Sequence, residues 1–199
     1  MNRLQEQIEK WYEYSRISEV EPIARRAFAN NSFDGVLTMI GVVVGSFFVG
    51  VQDASVILVT GVSTALAIGI SGGWGAYLTE SAERRHEISE LERFTLTDLR
   101  DTKIGKASRM AVVLVAAVDG LSPFLAALLV LIPFFFTSLL PSVTYAYYGS
   151  VAMALLALFA LGTYLGSISR ENVITYGVKT GVAGIVCIAL SFVLAQLAG

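Results

Sequence analysis

The sequence predicts an all-α integral membrane protein. Five transmembrane helices are expected, with a cytoplasmic N-terminus, an outside C-terminus, an N-terminal amphipathic helix and a short helical cytoplasmic insert. Three observations carry that prediction. The chain is 55% hydrophobic and only 15% charged, with a mean hydropathy of +0.67, too little charge for a soluble domain. Its charges are gathered in residues 1–32 and 80–109, leaving long stretches almost bare. And 13 of its 14 Lys and Arg residues fall on one side of the topology that those bare stretches imply, which by the positive-inside rule is the cytoplasmic side.

The elements follow in order. Residues 1–32 form the first region, polar and charged with no apolar leader near the start, so no secretory signal is expected. Leu4, Ile8, Trp11, Tyr12 and Ser15 make one helical stripe, the pattern of a helix lying in the membrane interface or covering a cytoplasmic mouth. A crossing takes about 20 apolar residues, and residues 33–52, 55–79, 110–137, 143–168 and 173–198 qualify. The first two spans make up the region 33–79 and the last three 110–198, with the charged insert 80–109 between them. "VQDAS" joins spans one and two as a tight turn, and "TSLLPSV", without charge, joins three and four. Lys179 is the basic residue left inside a span, and its long stem can carry the ammonium back to the boundary. The single cysteine, Cys187, can form no internal disulfide and reads as a small apolar residue.

Within this apolar frame two carboxylates stand out. "SFDGVLTMIGVVVGS" opens span one with Asp34 and Gly35, and "AAVDGLSPFLAALLVLIPFFF" places Asp119 and Gly120 inside span three. The two Asp-Gly segments align without gaps over about 17 residues, suggesting that spans one and two are repeated as three and four, an organisation common among transporters. Asp119 lies about nine residues into its span, about 14 Å deep at 1.5 Å per residue. A carboxylate at that depth marks an ion or proton pathway, or is a hydrogen-bonded structural group. Asp34 is shallower and has a plain alternative as a helix N-cap in "NNSFDG".

Glycine pairs at GxxxG spacing (Gly41/Gly45, Gly69/Gly73, Gly162/Gly166 and Gly177/Gly181) predict close helix contacts. "GISGGWGAY" is the densest glycine run, read as a tight crossing or an unwound turn. Pro123 and Pro133 are expected to kink or break span three and release backbone carbonyls there.

In the insert, Glu80, Glu83, Glu87 and Glu90 fall on one helical stripe with His86 beside them. Carboxylates suit hard divalent cations, and an imidazole admits Fe²⁺. The alternative is a solvated, ion-paired helix, because Arg84, Arg85 and Arg93 are interleaved.

The chain resembles the vacuolar iron transporter-like family of divalent metal transporters, as a divergent prokaryotic-type member. The resemblance runs from about residue 30 onward and is carried by "FDG" opening span one, "GISGGWGAYLTESAERR" closing span two, and "LSPFLAALLVLIPFFF" in span three. It implies a homodimer whose first spans line an interface pathway, exchanging Fe²⁺ or Mn²⁺ for protons. Asp34 matches the family's span-one acid. Gly72 stands where the family has a pathway methionine, and Thr64 where an acidic residue is common. Glu80, Glu83 and Glu87 match the family's acidic insert helix loosely, and with the residue pattern itself the candidate metal-binding residues are Asp34, Glu80, Glu83, His86, Glu87 and Glu90, with Asp34 and Asp119 handling cation and proton.

The leading functional expectation is therefore a non-enzymatic, proton-coupled divalent cation transporter in the cell membrane. Its partners are lipid, divalent cations, protons and a second copy of itself, with no prosthetic group and no nucleic acid. A non-transporting scaffold or metal sensor binding cations on the acidic helix is the alternative. An intramembrane enzyme is disfavoured, since one histidine and one cysteine form no recognisable nucleophile-base pair.

Overall fold

A computed structural model describes residues 13–198. Five long helices account for nearly all of them: α1 (Val20–Val49), α2 (Ala54–Thr95), α3 (Lys103–Phe135), α4 (Val143–Ser169) and α5 (Val173–Ala198), with a 3₁₀ turn at Thr137–Leu139 before α4. All five are long and apolar enough to cross a membrane. The protein is a multi-pass integral membrane protein, and no strand occurs among the described residues.

The helices run past the apolar stretches at their polar ends. α1 begins at Val20 rather than near residue 33, because nothing in "VEPIARRAFANN" opposes helix and Pro22 lies in its first turn, where its missing N–H costs nothing. The N-cap alternative for Asp34 is thereby removed: the residue sits 14 positions inside a continuous helix (34 minus 20). α2 is 42 residues long, about 63 Å at 1.5 Å per residue, roughly twice the thickness of bilayer hydrocarbon. Its charged C-terminal portion thus continues the helix of its apolar portion without a break. The glycine run "GISGGWGAY" stays helical, so the tight-crossing reading holds and the unwound turn is absent. α3 likewise passes through Pro123 and Pro133 uninterrupted. Of the N-terminal stripe, Leu4, Ile8, Trp11 and Tyr12 lie outside the described residues. Residues 13–17 are helical, and a turn at Ser18–Glu19 separates them from α1, with Glu19 in left-handed backbone conformation at φ 49°.

Two compact units are distinguishable. The first comprises the described part of Met1–Phe28 with Ile70–Leu121, and the second Ala29–Gly69 with Ser122–Gly199. In the first unit, Val20 packs against Ala111 and Val115, flanked by Ile23 and Leu114. The α2–α3 connection is tied down there: the Leu99 amide donates to Glu92 (2.9 Å), and Gly105 lies so near the Leu99 and Arg100 carbonyls that a Cβ would be 2.5 and 2.6 Å from them. Lys103, at the polar start of α3, pairs with Glu13, whose carboxylate raises the lysine's pKa by hydrogen bond and charge.

The second unit holds the main apolar core: Met39, Ile40 and Val43 of α1, Ile57 of α2, Val130, Leu131 and Phe134 of α3, and Ala154 and Leu158 of α4. α4 and α5 form a closely packed pair. Gly162 is its tightest point: a Cβ there would lie 2.2 Å from the Thr180 hydroxyl and 2.5 Å from the Tyr176 carbonyl. The Thr180 hydroxyl in turn donates to the Leu158 carbonyl across the pair (2.8 Å).

The α1–α2 and α4–α5 connections are capped by side chains. Gly50 takes φ 80° at the end of α1, and Asp53 accepts the Ser55 amide at the start of α2 (2.8 Å). Hydrogen bonds from the Ser55 hydroxyl and amide hold the Asp53 carboxyl below its ordinary range. The cap's contribution is therefore complete above that range and fades as pH falls through the lowered value. Asn172 caps α5, accepting the Ile174 and Thr175 amides. At the Gly50 end, Tyr147 stacks edge-on with Phe47 and Phe134 and donates its hydroxyl to the Val51 carbonyl (2.8 Å). Tyr147→Phe is expected to cost about 1 kcal/mol by leaving that acceptor unserved, read as a lower melting temperature in detergent. An unchanged melting temperature would show the bond to be dispensable.

Candidate functional site: the intrahelical acids and the acidic extension of α2

Asp34 lies on the side of α1 that points away from the core of its unit. Asp34 and Thr38 are exposed, while Val36, Met39, Ile40 and Val43 are buried. At 100° per residue, Asp34, Thr38, Gly41 and Gly45 fall within an arc of about 60°. A Cβ built on Gly41 or Gly45 would meet nothing within 4 Å. Among the described residues this GxxxG pair therefore packs against no other helix, unlike Gly162 and Gly177, which are filled against α5 and α4 respectively. α1 has a packed apolar side and a side of small and polar residues that carries the carboxylate.

The residue after Asp34 explains how that side is held. A Cβ on Gly35 would lie 2.3 Å from the Pro123 carbonyl oxygen, 2.7 Å from its Cα and 2.9 Å from its carbonyl carbon. α1 and α3 meet there backbone to backbone.

The second Asp-Gly pair sits at a crossing of the same kind within the first unit. A Cβ on Gly72 would be 2.7 Å from the Asp119 carbonyl oxygen, and one on Gly73 3.4 Å from the Gly120 Cα. Asp119 itself is half-buried. Gly72 therefore has no room for any side chain. Thr64, which stands where the resemblance implies an acid, turns its hydroxyl back onto the Thr60 carbonyl of its own helix (2.8 Å).

On the polar extension of α2 the charges are largely engaged with one another. Arg84 Nε donates to Glu80 (2.8 Å), one terminal nitrogen reaches Glu87 (3.4 Å), and the other donates to the Ser18 carbonyl (3.1 Å). The Arg84 and Glu80 side chains are 13% and 17% exposed, sheltered enough for the pair to be ordered rather than merely surface charge. His86 lies 3.9 Å from Glu90, both well exposed, and Glu83 is exposed. Among the described residues, no three His, Cys, Asp or Glu side chains converge to hold one metal ion. The stripe of Glu80, Glu83, His86, Glu87 and Glu90 is thus a charged surface, with Glu80 and Glu87 already occupied by a guanidinium.

In the sequence Arg84 reads only as one interleaved charge. Its spacing, four residues after Glu80 and three before Glu87, is the signal that could have singled it out. Its third bond, to Ser18, has no local signature. Arg84→Ala is expected to loosen the Ser18 turn, raising amide hydrogen exchange about tenfold or more around residues 15–20. Unchanged exchange there would mean the clamp does not hold that segment.

Lys179 places its ammonium 5.0 Å from the centre of the Tyr176 ring one turn earlier, a cation–π contact that accounts for a cation in an apolar helix.

Comparison with known proteins matches residues 26–103 to the VIT family. The matched stretch covers Asp34, the α1–α2 hairpin and the whole acidic extension. Over 168 residues the chain is 33% identical to an uncharacterized protein of Methanocaldococcus jannaschii, covering 83% of this chain and 84% of that relative.

Proposed function

This chain belongs to the VIT family of membrane metal-ion transporters, and on that premise we propose that it moves a divalent cation of the Fe²⁺/Mn²⁺ type in exchange for protons. The transport path in this reading lies between two copies of the chain, along the side of α1 that carries Asp34.

The observation that supports it most is the exposed Asp34 carboxylate on a stripe continued by Thr38, Gly41 and Gly45, where a Cβ added to either glycine would meet nothing within 4 Å among the described residues. An ionised carboxylate facing hydrocarbon costs several kcal/mol, and a smooth glycine face is what permits close approach of a second helix. A second copy of α1 set against the first removes both difficulties, and it brings two carboxylates to one axis. Two carboxylates with Thr38 hydroxyls offer oxygen ligands to a hard or borderline divalent cation. When the cation leaves, protons take its place on the carboxylates. Asp119 serves as a second proton-accepting group on α3. The charged end of the molecule is cytoplasmic, by the distribution of Lys and Arg. There the exposed Glu83, His86 and Glu90, together with Glu80 and Glu87 when Arg84 yields them, raise the local cation concentration.

The test is Mn²⁺ uptake into proteoliposomes loaded with a pH-sensitive dye, with the oligomer measured by light scattering in detergent. Mn²⁺ entry accompanied by proton movement, from a dimer, is the expected result. Mn²⁺ binding without any flux would instead favour a sensor or scaffold, and a monomer with full flux would remove the interface path.

A further inference from the structure

We infer that Gly35 and Pro123 are positioning residues for the Asp34 carboxylate, fixing the depth and rotation of α1 by a contact from which side chains are excluded. This rests on the reading of Asp34 as the cation-handling group.

The argument is geometric. All three atoms that a Cβ at position 35 would strike belong to the backbone of Pro123, at 2.3, 2.7 and 2.9 Å. None can rotate out of the way. Gly61 provides the contrast within the same unit: its would-be Cβ meets Leu131 side-chain atoms at 2.7 and 2.8 Å, the movable end of a flexible group. Ordinary contact begins near 3.4 Å, so any residue but glycine at 35 must drive the two helices apart by about 1 Å. Proline at 123 stiffens the other side, with φ fixed by its ring.

Asp34 is the adjacent residue, 100° around the helix. With Gly35 seated on Pro123, the Asp34 Cα has no freedom to slide or roll, and only its side-chain torsions remain. A carboxylate that binds and releases a cation needs that fixity, because ligand geometry is lost with displacements of about 0.5 Å. A looser backbone approach occurs at Asp119-Gly120, where a Cβ on Gly72 would lie 2.7 Å from the Asp119 carbonyl oxygen and one on Gly73 3.4 Å from the Gly120 Cα. In both cases the acid is next to the glycine at a crossing.

The experiment compares Mn²⁺ uptake by four proteoliposome preparations: wild type, Gly35→Ala, Asp34→Glu and the double variant, with Asp34→Ala as control. In wild type the extra methylene of glutamate, about 1.5 Å, overshoots, and uptake falls about fivefold. In Gly35→Ala the shift of α1 away from α3 carries Asp34 sideways, and the half-saturating Mn²⁺ concentration rises about tenfold with the maximal rate less affected. In the double variant the carboxylate is already displaced, so lengthening it costs little more, and uptake stays within about twofold of Gly35→Ala alone. That loss of the Asp34→Glu effect is what a merely structural glycine would not produce. An additive loss in the double variant, with Asp34→Ala inactive, overturns the positioning role and leaves the transport reading intact. Full uptake by Asp34→Ala overturns both. If Gly35→Ala does not yield a monodisperse protein, Pro123→Ala replaces it. That change returns an N–H to α3 and frees the φ that seats Gly35, so the half-saturating Mn²⁺ concentration is expected to rise several-fold. An unchanged value overturns the proposal.

Discussion

Asp34→Asn is expected to reduce Mn²⁺ uptake by at least about tenfold, to the level of empty liposomes, while the protein remains folded with its oligomeric state unchanged. The substitution is nearly isosteric, so α1 keeps its packed side, and Val36, Met39 and Ile40 stay in the core. What is lost is a charge. A divalent cation in a low-dielectric passage is held by its counter-charges, and neutral amide oxygens do not replace them. Proton exchange is lost with it, since an amide does not titrate. The dye signal and the metal signal should therefore vanish together. Metal flux that persists while proton movement stops would assign Asp34 to coupling alone. Flux and coupling that both persist would end the case for Asp34.

Gly162→Leu is expected to destabilise the second unit by about 3 kcal/mol or more. A Cβ at that position already lies 2.2 Å from the Thr180 hydroxyl, 2.5 Å from the Tyr176 carbonyl and 2.7 Å from the Gly177 Cα. Two of the three are backbone atoms of α5, so the helices must separate. Separation also breaks the Thr180 hydrogen bond to the Leu158 carbonyl. Thermal unfolding in detergent measures the loss, and Gly181→Leu is the matched control. It has the same residue type and the same GxxxG spacing, yet nothing lies within 4 Å of its would-be Cβ. Equal melting temperatures for the two variants would refute the packing argument.

Much of the fold is legible in the amino-acid sequence. Runs of apolar residues long enough to cross a bilayer have few alternatives, because backbone polar groups in lipid must be satisfied within a helix. The glycine pairs point to close crossings because small residues let helix backbones approach. Helix ends are less legible. Arg25, Arg26, Asn30 and Asn31 mark a polar region, but polarity does not stop a helix, and α1 runs straight through them. Pro123 and Pro133 signal a break, yet α3 continues through both. The acidic stripe of α2 is ambiguous in principle. Glu80, Arg84 and Glu87 at spacings of four and three serve an ion-paired clamp as well as a cation surface, and the Ser18 carbonyl, 66 residues away in the chain, completes the clamp.

The sequence by itself determined the membrane class, the five helices, the segments in which charge gathers and the two acids that are anomalous in apolar helices. Those properties depend on composition and spacing along one strand of chain. Only the tertiary structure decided which glycines are filled and which are open: Gly35, Gly72 and Gly162 lie against backbone, while a Cβ on Gly41 or Gly45 would meet nothing within 4 Å among the described residues. The pairs Gly162/Gly166 and Gly41/Gly45 have the same spacing. What differs is the helix across from them, and that is a matter of distances between residues far apart in sequence, which no local pattern encodes.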